Sequence, residues 1–156
     1  MDGNRPYVLV VDGTADGADS TAELIVAWGY DAGAKYSGAA ALDSARDRMP
    51  FAVILDFGIV PMDGFAFALL FRGMPGSGKS LIVAISGRAE EMPRSEKPHT
   101  AIDHHLSKPA DATVLRALLE RHRAEYFAGP WRMLDLARQA TPLRPATGPF
   151  IAVYGG

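Results

Sequence analysis

The sequence Phe51–Asp56, FAVILD, places a carboxylate directly after five apolar residues. A short, continuous apolar run predicts a buried strand, and a carboxylate at its end is costly unless it is paired or used. Two similar runs occur: YVLVV at residues 7–11 is followed by Asp12, and LIVAI at residues 81–85 is followed by Ser86. A polar side chain that can take part in binding or chemistry therefore follows each strongly apolar run.

Segments with helical spacing separate these runs. Helices are predicted over residues 18–28, after Ser37 and before Pro50, over residues 65–72 and over residues 112–126, and weaker strands over residues 31–36 and 101–106. This alternation predicts right-handed crossovers and a parallel sheet with helices on both faces. Because functional residues of such sheets lie at the carboxyl ends of strands, we expect Asp12, Asp56, Ser86 and Lys108 at one edge. Two carboxylates, a hydroxyl and an ammonium indicate a phosphoryl site with Mg²⁺.

Length, composition and charge exclude several other classes of protein. The 156 residues suit one domain with an appendage, and the absence of cysteine excludes disulfides and thiolate–zinc sites. A net charge of −2 argues against a nucleic-acid surface. The sequence contains no leader and no apolar run of about 20 residues, so we expect a cytoplasmic protein with no membrane partner.

Three motif matches are interpreted structurally. GMPGSGKS at residues 73–80 fits a phosphate-binding loop, but it follows a helix and precedes a strand, the reverse of the required order. We interpret it as a connecting loop, which makes a nucleotide hydrolase a distant alternative. DGTADGADSTAE at residues 12–23 approximates a calcium loop, yet a strand precedes it. His104 and His105 are neighbours on a strand and face opposite ways, so they cannot share a metal ion.

The motifs VLVVDG, VILDFG, PMDGF, VAISG and LSKP occur together in one order. Over residues 5–122 the chain resembles a response-regulator receiver domain of two-component signalling. The resemblance implies a flavodoxin-like, doubly wound (βα)5 sheet with strand order 2-1-3-4-5. It also implies a signalling protein rather than an enzyme.

The resemblance assigns roles to five residues. Asp56 would be the phosphoacceptor, and Mg²⁺ would be held by Asp12, Asp56 and the backbone carbonyl of Gly58. Ser86 would be the switching hydroxyl, and Lys108 would pair with the phosphoryl group.

The chain departs from the family pattern in three places. Gly13 replaces the second acid after the first strand, so Mg²⁺ binding is expected to be weaker than in the family. Val60 occupies the usual proline position and Pro61 follows one residue late. His105 stands where the family has its rotating aromatic residue. The peptide bond before Pro109 is expected to be cis, as in the family.

Two functional hypotheses follow. In the first, the chain accepts a phosphoryl group from a histidine kinase or a histidine phosphotransfer protein. In the alternative, it is a phosphorylation-impaired pseudo-receiver that binds proteins in one fixed state. Residues 123–156 form an extension, with a helix at about 131–140 and an extended apolar end at 150–154, that could pack on this domain or mediate a homodimer. The extension is too short for a DNA-binding module, so we expect a stand-alone receiver.

Overall fold

The computed structural model describes residues 5–87 and 101–128. The chain divides into two compact units, residues 1–117 and 118–156, and the sheet lies in the first. The elements are β1 Tyr7–Val11, α1 Ala15–Ala27, β2 Asp31–Lys35, α2 Gly38–Asp47, β3 Ala52–Asp56, α3 Gly64–Arg72, a 3₁₀ turn Ser77–Lys79, β4 Leu81–Ser86, β5 His104–Ser107 and α4 Ala112–Ala128. In the part of the chain that is described, no helix combines the length and hydropathy needed to cross a bilayer.

The predicted helix at about residues 131–140 and the predicted apolar end at residues 150–154 lie outside the described residues.

The five strands form one parallel sheet in the order β2-β1-β3-β4-β5, which confirms the predicted fold. The central strands β1, β3 and β4 are almost wholly buried, as their continuous apolar sequences require. The edge strands β2 and β5, with the sequences DAGAK and HHLS, are half-buried or exposed. Apolar residues therefore decide which strands occupy the centre of the sheet.

Three local features define the helix ends. The Ser37 hydroxyl accepts a hydrogen bond from the Ala40 amide at 3.1 Å and caps α2. The Asp111 carboxylate accepts the Thr113 amide at 2.8 Å and caps α4. Gly29 follows α1 with φ of 101°, a conformation that favours glycine.

Two predicted boundaries are wrong. Helix α1 begins at Ala15, three residues early, because the chain turns as soon as β1 ends. Strand β5 begins at His104 rather than at residue 101. Residues 101 and 102 are buried apolar residues that precede the strand, and the Asp103 carboxylate accepts the Ile82 amide at 2.8 Å just before regular pairing starts.

The GMPGSGKS segment is a connection between α3 and β4, as predicted. The Arg72 guanidinium donates to the carbonyls of Ser77 at 2.6 Å and Ser80 at 2.9 Å. It also donates to the Asp103 carboxylate at 2.9 Å, and the Ser80 hydroxyl donates to the Pro50 carbonyl at 2.6 Å. These bonds hold the segment at the amino edge of the sheet, opposite the edge that carries the candidate site.

Candidate functional site

The candidate site lies at the carboxyl edge of the sheet. Asp12 follows β1, Asp56 is the last residue of β3, Ser86 is the last residue of β4 and Lys108 follows β5. Because all five strands run parallel, these four residues share one edge.

Asp56 is held by two positively polarised groups. Its Oδ1 atom accepts the Gly58 amide at 3.2 Å and lies 3.3 Å from the Lys108 Nζ atom. The Asp56 side chain is 17% exposed and that of Lys108 is 42% exposed. The carboxylate is therefore oriented and partly neutralised, while it stays accessible from solvent.

Asp12 lies beside Asp56 and is oriented by its own loop. Its Oδ1 atom accepts the Thr14 amide at 2.9 Å. Burial raises the pKa of the Asp12 carboxyl above its ordinary value, and the neighbouring Asp56 carboxylate raises it further, against the opposing effects of the Thr14 amide and the Lys108 ammonium. The pair of carboxylates thus carries negative charge that the surrounding side chains do not fully balance.

Ser86 and His105 flank this group of charges. Ser86 is 2% exposed, and its carbonyl accepts the Lys108 amide at 2.8 Å. In the sheet register Asp56 is opposite Ile85, so Ser86 is one residue further along the neighbouring strand. The His105 ring packs edge-on against Phe57, with centroids 6.3 Å apart.

The loops at the site contain two cis peptide bonds and an exposed glycine. The Lys108–Pro109 bond is cis, and so is the Val60–Pro61 bond, which the sequence did not predict. Gly13 is exposed, and a Cβ atom built there would find nothing within 4 Å. The backbone therefore leaves space for the acid that this chain lacks.

Two glycines at the site were missed by sequence reasoning. A Cβ at Gly64 would lie 2.8 Å from the Phe57 Cα, so only glycine allows α3 to start this close to the loop after Asp56. A Cβ at Gly17 would lie 2.8 Å from Oδ2 of Asp12. A glycine inside a helix usually has a packing reason, but Gly17 fell outside the predicted helix.

A cavity of about 570 Å³ opens beside the carboxylates. Asp12, Asp56 and Lys108 line one part of it, and side chains of β1, β3, β4, α1 and the start of α4 form its largely apolar walls. The site is therefore concave and open to a small group such as a phosphoryl donor.

The donor set fits Mg²⁺. This ion binds through oxygen ligands and commonly uses one or two carboxylates together with water, and Asp12 and Asp56 supply two adjacent carboxylates with unbalanced charge. Within residues 5–87 and 101–128 there is no group of three or more acidic, histidine or cysteine side chains suited to a metal ion. Among these residues the site therefore offers two carboxylates and no third acidic, histidine or cysteine ligand.

Known proteins resemble this chain both in sequence and in structure. The chain is 29% identical over 119 residues to the transcriptional regulatory protein PrrA of Mycobacterium bovis and of Mycobacterium tuberculosis, a match that covers 76% of this chain and 49% of each relative. The chain therefore spans about half the length of the curated relatives that it matches. No protein-family model matches the chain.

Solved structures of other proteins are similar to this chain in fold. A response regulator receiver domain (CheY-like) from Methylobacillus flagellatus has a TM-score of 0.68 and 26% identity, over 76% of this chain and 99% of that one. A sensor protein from Polaromonas sp. JS666 has a TM-score of 0.69 and 25% identity, over 76% of this chain and 95% of that one.

The five-stranded sheet with acidic residues at its carboxyl edge defines a flavodoxin-like α/β protein of the CheY type. More narrowly, the chain resembles response regulator receiver domains in sequence motifs and in fold. Such domains act in signalling rather than as classical enzymes.

Proposed function

We propose that Asp56 accepts a phosphoryl group from a phosphohistidine of a histidine kinase or a histidine phosphotransfer protein. The observation that supports this most directly is the contact of one Asp56 oxygen with both the Lys108 ammonium and the Gly58 amide, at 3.3 and 3.2 Å, beside the Asp12 carboxylate. These contacts leave the side chain accessible at the mouth of a cavity. An oriented, accessible carboxylate next to a cation is suited to nucleophilic attack on phosphorus.

In the proposed transfer, an Asp56 oxygen forms a bond to phosphorus as the bond from phosphorus to the donor imidazole nitrogen breaks. The electron pair of that bond leaves with the imidazole. The Lys108 ammonium binds the transferred oxygens and offsets their charge, as positioned cations do in phosphoryl transfer. Ser86, one residue further along β4, supplies a hydroxyl that binds the product.

Mg²⁺ would be held by the Asp12 and Asp56 carboxylates and the Gly58 carbonyl, and it would neutralise the charge on the phosphoryl oxygens. Since Gly13 supplies no carboxylate, this ion is expected to bind more weakly than in receivers with two consecutive acids.

We also propose how the signal leaves the site. Recruitment of Ser86 by the phosphoryl group would shift the population of the neighbouring loop and of His105, which packs on Phe57 next to the phosphoacceptor. The resulting contact face would bind a downstream protein in the cytoplasm. Residues 123–156 form an extension that could mediate a homodimer, which light scattering of the full chain would detect.

Intact mass spectrometry tests the proposal. With acetyl phosphate and Mg²⁺, the protein should gain about 80 Da, the mass of one phosphoryl group. Asp56→Ala should abolish the gain, whereas Asp43→Ala, at an exposed position on α2, should retain it. Absence of any gain in the wild-type protein would favour the phosphorylation-independent module, and a gain that survives Asp56→Ala would refute the assignment.

A further inference from the structure

Gly17 lies against the carboxylate of Asp12. It is the third residue of α1, and a Cβ atom built on its backbone would be 2.8 Å from Oδ2 of Asp12, 3.5 Å from Cγ and 3.8 Å from Oδ1. The first of these distances is shorter than real Cβ contacts allow, and the other two are ordinary. The carboxylate therefore occupies space that any other residue at position 17 would fill.

The other side of the same carboxylate is also defined. Oδ1 accepts the Thr14 amide at 2.9 Å, so the side chain is held between the turn after β1 and the bare backbone of Gly17. The neighbouring Gly13 differs, because its own Cβ would meet nothing within 4 Å. Of these two glycines, Gly17 lies in α1 and contacts Asp12, whereas Gly13 lies in the exposed bend before the helix and does not.

We propose that Gly17 is a positioning residue for the cation site, because it leaves room for the Asp12 carboxylate to lie beside Asp56. The inference rests on the proposed function, in which Asp12 is a cation ligand. In a site with only two carboxylates, the position of each one matters more than it would in a site with three. A side chain at position 17 displaces one of the two.

The displacement should change the site and leave the fold intact. The atom that a new Cβ would meet is the end of a flexible side chain, so Asp12 can rotate away without movement of the backbone. Alanine is also a better helix former than glycine, so a purely structural role for Gly17 predicts a variant that is equally or more stable and binds ions normally. Loss of ion affinity without loss of stability separates positioning from structure.

The experiment compares Gly17→Ala with Gly13→Ala by isothermal titration with Mg²⁺ and by thermal unfolding. Gly17→Ala should weaken binding about tenfold or more, the range typical for groups that orient a metal ligand, with no fall in the unfolding temperature without metal. Gly13→Ala should bind as the wild-type protein does. In an Asp12→Ala background, Gly17→Ala should have no further effect on binding, since the group it displaces is absent.

A measurement without metal keeps the inference independent of the proposed function. In metal-free protein, the carboxyl ¹³C signal of Asp12 and the amide signal of Thr14 should shift in Gly17→Ala, and the carboxyl signal should stay unchanged in Gly13→Ala. If wild-type protein binds no Mg²⁺ but these shifts occur, the proposed cation site fails and the positioning by Gly17 holds. Unchanged signals, or equal affinities in both alanine variants, would overturn the inference.

Discussion

Gly13→Asp should restore tight cation binding to this domain. The position directly follows Asp12, and a Cβ built there meets no atom within 4 Å, so an added side chain has room. The resemblance to receiver domains implies an acid at this position that contacts the metal, and we expect the new carboxylate to take that role. The substitution therefore converts a site with two carboxylates into one with three.

The magnitude follows from electrostatics. Two unit charges about 4 Å apart interact by about 1 kcal/mol in water, so a carboxylate beside a divalent cation contributes about 2 kcal/mol. That energy corresponds to a roughly thirtyfold lower dissociation constant. Repulsion from Asp12 and Asp56 is present with and without the ion, so it lowers the stability of the metal-free variant rather than its affinity. The pKa of Asp12, already raised by burial and by Asp56, should rise further.

Titration calorimetry with Mg²⁺ at low ionic strength, together with thermal unfolding in EDTA, tests both statements. Gly13→Asn, which matches the aspartate in size without its charge, is the control. We expect Gly13→Asp to bind at least several-fold more tightly than both wild type and control, and to unfold at a lower temperature in EDTA. Equal Mg²⁺ affinities for Gly13→Asp and Gly13→Asn would show that a negative charge at position 13 does not stabilise the bound ion.

Three further predictions concern stability. The raised pKa of Asp12 means that its ionised form destabilises the fold. Metal-free wild-type protein should therefore gain stability as the pH falls through that raised pKa. Asp12→Asn should unfold at a higher temperature than wild type at pH 7, and its stability should lack this gain at lower pH. Gly64→Ala should lower the free energy of unfolding by about 1–3 kcal/mol in urea titrations, because the new Cβ would lie 2.8 Å from the Phe57 Cα, a backbone atom that cannot turn away. Arg72→Met should cost about 2–4 kcal/mol in the same assay, since the Arg72 side chain is only 19% exposed and its loss removes a charged donor from three carbonyls and from the Asp103 carboxylate.

Matched variants make these results interpretable. Gly78→Ala, where a Cβ has open space, should change stability by less than Gly64→Ala does. Arg46→Met removes an exposed ion pair with Asp43 and should cost less than about 1 kcal/mol. A pH profile of Asp12→Asn that superimposes on that of wild type would contradict the assigned destabilisation, and an Arg72→Met variant as stable as Arg46→Met would contradict the role of the guanidinium network.

Local sequence patterns were enough to predict most of the fold. The continuous apolar runs at residues 7–11, 51–55 and 81–85 became the three buried central strands, since a strand with helices on both faces must be apolar throughout. Ser37 and Asp111 stand at helix starts because their side chains accept amides that have no partner within the helix. The start of β5 was mistaken because burial of residues 101 and 102 gives the same apolar signal as a strand.

The sequence also predicted part of the candidate site, while the remaining features could be seen only in the structure. A carboxylate, a hydroxyl or an ammonium after each apolar run could be recognised from its place in the sequence, and parallel topology then brings these residues to one edge. Which atoms meet could not be recognised. The contact of the Asp56 Oδ1 atom with Lys108 joins segments that are far apart in the sequence, and the approach of Asp12 to Gly17 depends on a helix start that the sequence did not predict.

By itself, therefore, the sequence determined the order of elements, the residues that form the core and the chemical types at the carboxyl edge, because these depend on local periodicity and on hydrophobic burial. Only the tertiary structure decided the charge balance of the two acids, the space left at Gly13 and the need for glycine at positions 17 and 64. Those properties depend on distances of a few ångströms between particular atoms, which local periodicity does not specify and which exist only once the chain has folded.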